Sequence, residues 1–273
     1  MAELTVDGLR VHYREAGVGP AVVLLHAGGG SGAQWRRVAE RLGEGWRLVT
    51  VDFYGHGGTD LWPGPPEART HEAEAGLVRA VLRQLGARPA HVVGHSYGGG
   101  VALRLAVTDP GAVERLVLIE PQCWAMLRHG AERAHYEAAC ATAHRFLGAL
   151  KAGRPEDGWR DFIDDNNGPG AWARLPEAAR ARLLATTEAI ASAYYANLSH
   201  STTPGECRAI GAPTLVLHGA ATLPRYRRMT ELVAEAIPGA RLDVLPEAGH
   251  MSPLSHPDLV AAAVERHLRG VVS

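Results

Sequence analysis

Hydrophobic positions along the chain alternate between short apolar runs and longer stretches in which apolar residues recur every three or four positions. The short runs are rich in β-branched residues and predict strands, whereas the longer stretches predict amphipathic helices. The predicted strands are 4–6, 9–16, 21–26, 47–52, 91–95, 115–120, 214–219 and 241–246. The predicted helices lie near 33–42, 70–86, 97–108, 225–237 and 257–269. Strands alternating with helices indicate a single open α/β sheet.

The direction of the strands can be predicted from the turns and from the apolar content. Asp7-Gly8 joins the first two strands and is a hairpin signal, so this pair is expected to be antiparallel. The later strands are almost continuously apolar and are separated by helices, as expected for parallel strands covered on both faces. The chain is therefore predicted to form a mostly parallel, eight-stranded sheet with helices on both faces.

Residues 121–212 interrupt the alternation because they contain no convincing strand pattern. Helical patterns cover 131–150 and 176–192, with the sequence DDNNGPGAW between them. A structureless loop of this length would be unusual in a compact domain, whereas a helical insertion would not. Residues 1–120 and 213–273 are therefore predicted to form the core, and residues 121–212 a helical lid at the C-terminal edge of the sheet.

Composition excludes several classes of partner. The 273 residues have a formal net charge of −1 and no basic run, so neither nucleic acid nor an anionic membrane is expected as a partner. An early acidic residue and the lack of a long apolar run argue against a signal peptide or a membrane span. The three cysteines, Cys123, Cys140 and Cys207, have no metal-like spacing. We therefore expect free thiols, a cytoplasmic location and no metal or cofactor.

Ser96 lies at the point where an apolar strand pattern changes into a helix pattern. The sequence Gly94-His95-Ser96-Tyr97-Gly98 fits the G-x-S-x-G motif, in which a sharp turn exposes a nucleophilic serine at the edge of the sheet. A glycine-rich turn with an incidental serine is the alternative. A nucleophilic serine needs a base, and in this motif the histidine comes last in the chain. His250 follows the last predicted strand, whereas His256 precedes a proline and is expected near a helix start.

Five segments resemble landmarks of the α/β-hydrolase superfamily in their usual order. They are LLHAGGGSGAQW, VDFYGHGGTD, GHSYGG, PTLVLHG and LPEAGHMSPLSHP. The resemblance implies a triad of serine, acid and histidine, and an oxyanion hole built from two backbone N–H groups. The implied donors are Tyr97, after the nucleophile, and Gly28, which stands where the family usually has the last residue of His-Gly-x. Asp52 and the glycines after it are interpreted as structural.

The acid departs from the family pattern. Family members usually carry it after the seventh strand as Gly-x-x-Asp, but here that position is Thr222, and residues 220–229 contain no Asp or Glu. Some lactonases and haloalkane dehalogenases instead carry the acid at the end of the sixth strand, where this chain has Glu120. Glu120 is therefore predicted to be the triad acid, with Asp243 and Glu247 as alternatives. A structural Glu120 paired with Arg128 is also considered.

The predicted function is hydrolysis of a carboxylic ester or lactone with an apolar portion, through a Ser-His-Glu triad and an acyl-enzyme. Trp124, Tyr194 and Met251 are the predicted substrate-binding residues. Hydrolysis of a carbon–carbon bond in a diketone, and ligand binding without catalysis, remain alternatives. Epoxide hydrolysis and dehalogenation are disfavoured because they need aspartate where this chain has Ser96. The expected partner is a small molecule, and a homodimer is left open.

Overall fold

Eight strands form one sheet in the order β1-β2-β4-β3-β5-β6-β7-β8 in the computed structural model, which describes residues 2–199 and 202–271. The strands are β1 (Ala2–Val6), β2 (Leu9–Ala16), β3 (Ala21–Leu25), β4 (Arg47–Val51), β5 (Ala90–His95), β6 (Val113–Ile119), β7 (Thr214–Gly219) and β8 (Arg241–Leu245). Strand β2 pairs antiparallel with β1 and β4, and the remaining pairs are parallel. The predicted fold class is confirmed.

Helices cover both faces of the sheet, and two buried apolar clusters lie between the layers. The α-helices are α1 (Arg36–Ala39), α2 (His71–Gln84), α3 (Tyr97–Thr108), α4 (Arg133–Lys151), α5 (Pro155–Asn167), α6 (Ala171–Arg174), α7 (Glu177–Ala185), α8 (Thr187–Ser199), α9 (Pro204–Cys207), α10 (Pro224–Ala236), α11 (Ser252–Ser255) and α12 (Pro257–Leu268). Strands β3 and β5 are buried along their whole length, as their continuous apolar sequences predict.

Local structure at the N-terminal hairpin matches the sequence expectation, whereas the segment near residue 35 differs from it. The N-terminal hairpin turns at Asp7 and Gly8, both of which have positive φ. The helix predicted near 33–42 is present but shorter and less regular: a 3-10 turn over Gly32–Trp35 leads into the four residues of α1. The N–H of Gly32 donates to Oδ1 of Asp52 at 2.6 Å, which ties the start of this segment to the end of β4. The segment is therefore held by side-chain contacts as much as by helix hydrogen bonds.

The segment between β6 and β7, residues 121–212, which we call the helical segment, contains α4 to α9. One helix predicted over 176–192 is instead two, because the chain breaks at Thr186 between α7 and α8. The sequence DDNN does not interrupt a helix but completes α5, which begins with Pro155 and has acidic residues in its first turn. The break follows at Gly168 and Gly170, which both have positive φ.

Side chains from the core hold the helical segment in place. The buried guanidinium of Arg69 forms an ion pair with Glu74 and donates from Nη1 to the carbonyl oxygen of Ala189 in α8 at 3.0 Å. At the start of α10, Nη2 of Arg225 donates to Oδ2 of Asp165 in α5 at 2.8 Å. The helical segment therefore docks over the C-terminal ends of the strands, where the candidate chemistry lies.

Candidate active site

Ser96 occupies a strained turn between β5 and α3. Its backbone has φ of 54° and ψ of −118°, which is unusual for a residue with a side chain. A Cβ on Gly98 would lie 2.6 Å from the carbonyl oxygen of His26, and a Cβ on Gly94 would lie 2.8 Å from the Cα of Gly99. Both glycines are therefore required because α3 passes too close to the sheet for any side chain. This is the structural meaning of the G-x-S-x-G pattern in this chain.

Ser96, His250 and Glu120 come together although they are far apart in sequence. Nε2 of His250 lies 3.0 Å from Oγ of Ser96, and Nδ1 of the same ring lies 2.6 Å from Oε2 of Glu120. A carboxylate can only accept a hydrogen bond, so Nδ1 carries the proton and Nε2 is free to accept one from the serine. This arrangement allows the imidazole to take a proton from Ser96.

Glu120 is fully buried at the end of β6, with a positive φ of 43°. Its Oε1 accepts a hydrogen bond of 2.9 Å from the N–H of Gly219, and its Oε2 accepts one of 2.7 Å from the hydroxyl of Thr222. Burial by itself raises the pKa of Glu120, but the interactions with His250, Gly219 and Thr222 outweigh it and hold this pKa below its usual value. The carboxylate is therefore ionised at neutral pH.

The geometry gives less support to an ion pair between Glu120 and Arg128, and to Asp243 or Glu247 as the acid. Nη2 of Arg128 donates to the carbonyl oxygen of Leu198 at 2.8 Å, so this arginine has another partner than Glu120. Asp243 forms an ion pair of 3.1 Å with Arg241 along β8. Glu247 lies in the following loop with a positive φ of 59°. Of these three acids, Glu120 is the one that contacts His250.

The two candidate oxyanion donors lie side by side. A Cβ placed on Gly28 would be 3.7 Å from the Cβ of Tyr97. Tyr97 is the first residue of α3, so its N–H has no acceptor within the helix and points along the positive end of the helix dipole. The same Cβ would lie 3.1 Å from Cδ1 of Ile190 in α8. Ile190 therefore closes the space beside Gly28.

A buried hydrogen-bond chain, which no sequence pattern indicated, joins the two halves of the site. The N–H of Ala27 donates to Oε1 of Gln34 at 3.1 Å, and the amide nitrogen of Gln34 lies 3.1 Å from Nδ1 of His95. The other ring nitrogen of His95 donates to the carbonyl oxygen of His250 at 2.7 Å. Burial lowers the pKa of His95 to about 3, so its ring stays neutral and can both accept and donate. The chain thus connects the loop of Gly28 to the loop of His250.

Tyr226 is a second feature that no sequence pattern indicated. Its ring stacks on the imidazole of His250, with ring centroids 4.2 Å apart and an angle of 18° between the planes. Tyr226 lies four residues after Thr222, the position at which family members usually carry the acid. A tyrosine four residues after that position was the one available signal.

A cavity of about 1210 Å³ lies between the helical segment and the strand ends. It contains Ser96 and His250, and its walls are largely apolar and aromatic. The three residues predicted to bind substrate all line it, and they are Trp124, Tyr194 and Met251. Trp124 and Tyr194 are buried, whereas Met251 is half-exposed. Trp159, Phe162 and Ile163 of α5 extend the same wall.

Within residues 2–199 and 202–271, no helix combines the length and the hydrophobicity that a membrane crossing requires. These ranges also contain no group of three or more His, Cys, Asp or Glu side chains placed to hold a metal ion.

The sequence and the fold place the chain in a known family. A model of the alpha/beta hydrolase family matches residues 22–263, so the chain belongs to the alpha/beta hydrolase family. A hydrolase from Pseudomonas aeruginosa PA01 is 28% identical, with a TM-score of 0.76 and coverage of 98% of this chain and 97% of that one. An enol-lactonase from Burkholderia xenovorans LB400 is 25% identical, with a TM-score of 0.74 and coverage of 98% and 100%.

Similarity to curated proteins is limited to part of each chain. The 2-hydroxy-6-oxo-6-phenylhexa-2,4-dienoate hydrolase of Comamonas testosteroni is 30% identical over 125 residues, which are 44% of this chain and 43% of that protein. The chain spans less than half the length of the curated relatives it matches. The names of these relatives describe different activities, so family membership rests on the family model.

Proposed function

We propose that this chain is a serine hydrolase that cleaves a carboxylic ester or lactone with an apolar portion. The observation that carries the proposal is the continuous relay from Oγ of Ser96 to Nε2 of His250, at 3.0 Å, and from Nδ1 to Glu120, at 2.6 Å. Nucleophile, base and orienting acid are the three parts that acyl transfer through a serine requires.

In the proposed reaction, Oγ of Ser96 attacks the carbonyl carbon while Nε2 of His250 takes the hydroxyl proton. The negative charge that develops on the carbonyl oxygen is stabilised by the N–H groups of Gly28 and Tyr97. The imidazolium, paired with Glu120, then gives its proton to the leaving alcohol, and the acyl-enzyme remains. Water, deprotonated by His250, attacks the acyl-enzyme, and the imidazolium returns the proton to Oγ of Ser96 as the acid is released. In a lactone the leaving alcohol stays part of the same product.

The substrate class is proposed from the cavity. Its volume of about 1210 Å³ exceeds the usual range for small-molecule sites, and aromatic side chains such as Trp124 and Tyr194 form its walls. A bulky apolar group on either side of the scissile bond fits this lining. The likeness to an enol-lactonase over nearly the whole of both chains favours a lactone among the candidate substrates. The helical segment would act as the lid that excludes water from the acyl-enzyme.

A second candidate is hydrolysis of a carbon–carbon bond in a diketone. It is favoured by the similarity to the Comamonas testosteroni dienoate hydrolase, which is 30% identical to this chain over 125 residues. The same relay would serve this reaction, because a carbanion leaving group can also be protonated by His250. An ester panel tested beside a vinylogous diketone separates the two candidates by comparison of kcat/KM.

The proposed function is tested by labelling with a fluorophosphonate and by hydrolysis of a short p-nitrophenyl ester. We expect a covalent adduct on Ser96, located by mass spectrometry, and turnover that disappears in Ser96→Ala with an unchanged thermal transition. The matched control is Ser199→Ala, because this exposed serine ends α8 and lies outside the lining of the cavity. An adduct elsewhere, or no adduct with a folded protein, would contradict the proposal and favour ligand binding without catalysis.

A further inference from the structure

The ring of Tyr226 lies flat on the imidazole of His250. The ring centroids are 4.2 Å apart and the planes differ by 18°. His95 also approaches this imidazole, but at 5.1 Å and with a tilt of 44°. The stack therefore covers one face of the ring that must contact both Glu120 and Ser96.

The far end of Tyr226 is fixed by the helical segment. Its hydroxyl donates to Oδ1 of Asn166, in the last turn of α5, at 2.5 Å. Burial raises the pKa of Tyr226 above its usual value, so the phenol keeps the proton that it donates. The same Oδ1 accepts a second hydrogen bond, of 3.0 Å, from Nη2 of Arg225. Asn166 of α5 thus holds the hydroxyl of Tyr226, and the face of the tyrosine ring contacts His250.

The imidazole works as a relay only in one orientation. Rotation of the ring about its Cβ–Cγ bond would move Nδ1 away from Glu120 and Nε2 away from Ser96 at the same time. A flat ring packed on one face resists this rotation because the imidazole edge would have to enter the space that the phenol occupies. An aromatic face also attracts the positive charge that the imidazole acquires during the reaction.

We propose that Tyr226 is a positioning residue for the base, and that Asn166 of the helical segment holds it in place. The proposal rests on the proposed function of Ser96 and His250. It gives the helical segment a role in catalysis beyond enclosing the substrate, because α5 supports the base through one hydrogen bond. Undocking of α5 would release Tyr226 and thereby leave the imidazole free to rotate.

Two substitutions separate the contribution of the Tyr226 ring from that of its hydroxyl. Tyr226→Phe keeps the stack and removes the hydrogen bond to Asn166, whereas Tyr226→Met fills the space without a flat face. We expect Tyr226→Met to lower kcat, and the rate at which a fluorophosphonate labels Ser96, by about tenfold or more, with KM changed by less than about threefold. Tyr226→Phe should lower both rates by a smaller factor, about two- to threefold, because the stack remains but Asn166 no longer fixes the ring. A role in stability alone would not produce this division between kcat and KM.

Substitution of Asn166 tests the hydrogen bond between Tyr226 and Asn166 at its acceptor. Asn166→Ala removes the acceptor, and Asn167→Ala is the matched control because each asparagine donates from Nδ2 to the backbone carbonyl four residues earlier, at 2.7 Å and 2.9 Å. We expect Asn166→Ala to slow labelling about as much as Tyr226→Phe, and Asn167→Ala to leave it unchanged. The double variant Tyr226→Phe with Asn166→Ala should be no slower than Asn166→Ala alone, because both changes break the same bond.

The outcomes are distinguishable from failure of the proposed function. If Ser96 is labelled in the wild-type protein but Tyr226→Met is labelled equally fast, the positioning role is overturned and the serine chemistry stands. Equal losses in Tyr226→Phe and Tyr226→Met would also overturn it, because the stack would then contribute nothing. If the wild-type protein is not labelled on Ser96, it is the proposed function that fails. A thermal unfolding curve for each variant identifies any loss that comes from misfolding.

Discussion

The hydroxyl of Thr222 donates a hydrogen bond of 2.7 Å to Oε2 of Glu120. Thr222 stands where family members usually carry the acid, and Glu120 ends the neighbouring strand β6. Thr222 has no carboxylate of its own but contacts that of Glu120, because the ends of β6 and β7 lie next to each other in the sheet. The N–H of Gly219 donates to the other oxygen of the same carboxylate at 2.9 Å. The loop after β7 thus supports an acid that it does not itself supply.

Replacement of Glu120 by Gln should lower kcat by a factor on the order of 10² to 10⁴, since loss of the triad carboxylate in a serine protease costs about 10⁴. The change keeps the side-chain volume but removes the charge that stabilises the imidazolium and sets its tautomer. Steady-state kinetics with a p-nitrophenyl ester provide the measurement. The thermal transition should remain close to that of the wild-type protein.

The control for this prediction is a pair of acids that do not contact His250. Asp243→Asn and Glu247→Gln should stay within about tenfold of wild-type activity, because neither residue belongs to the relay. A fully active Glu120→Gln together with an inactive companion variant would mean that the acid has been misassigned.

Introduction of Thr222→Asp into Glu120→Gln should restore part of the lost activity. The Thr222 hydroxyl already reaches the carboxylate of Glu120 at 2.7 Å, so an aspartate here has its oxygens close to His250. In the wild-type background the same substitution should lower activity, because two adjacent carboxylates repel each other and one must take up a proton. Thr214→Asp, at the opposite end of β7, serves as the control that should restore nothing. Equal activity of the double variant and Glu120→Gln would contradict the expected reach of residue 222.

The stability of the protein should fall as the pH is lowered from 6.5, partly because of His95. Burial lowers the pKa of His95 to about 3 in the folded state, from an ordinary value of 6.5. Between these two values the unfolded chain binds a proton that the folded chain excludes, so acid favours unfolding by up to about 1.4 kcal/mol per pH unit for one such group.

His95→Gln provides the measurement, because glutamine can accept from Gln34 and donate to the carbonyl of His250 without titrating. Urea unfolding at several pH values between 4 and 7 should give a shallower slope for this variant than for the wild-type protein. Identical slopes would show that His95 does not contribute to acid unfolding. His26, whose pKa is lowered to about 4 by burial, should contribute in the same direction.

Replacement of Trp124 by Ala should change substrate preference more than the rate of the chemical step. Trp124 lines the cavity and donates from its indole nitrogen to Oε1 of Gln122 at 2.5 Å. Truncation enlarges the cavity, so the ratio of kcat/KM for bulky over short esters should rise by about tenfold.

The control for Trp124 is Trp172→Ala, because Trp172 is buried in the same helical segment but lies outside the cavity lining. Both truncations should cost roughly 3–5 kcal/mol of stability. Only Trp124→Ala should change the preference, and a similar change in both variants would mean that the effect is indirect. Hydrolysis of short and bulky p-nitrophenyl esters provides the comparison.

The sheet and the nucleophile turn could be predicted because they depend on local sequence. Apolar runs of β-branched residues become buried parallel strands wherever helices cover both faces, and this held for β3, β5, β6 and β7. Gly94 and Gly98 indicated the turn at Ser96 because no other residue fits where α3 passes against the strand ends. The order of serine, acid and histidine along the chain then limited the search for the acid and the base to a few positions.

Tertiary structure alone decided which side chains meet, because contacts between distant segments depend on how strands and helices pack. The sequence by itself determined that Glu120 ends a strand and that Thr222 lacks a charge, but only the adjacency of β6 and β7 brings the two into contact. The division of 176–192 into α7 and α8, and the closure of the space beside Gly28 by Ile190, follow from the docking of the helical segment. The stack of Tyr226 on His250 joins the first turn of α10 to the segment after β8, which no local pattern relates, so only the folded chain could reveal it.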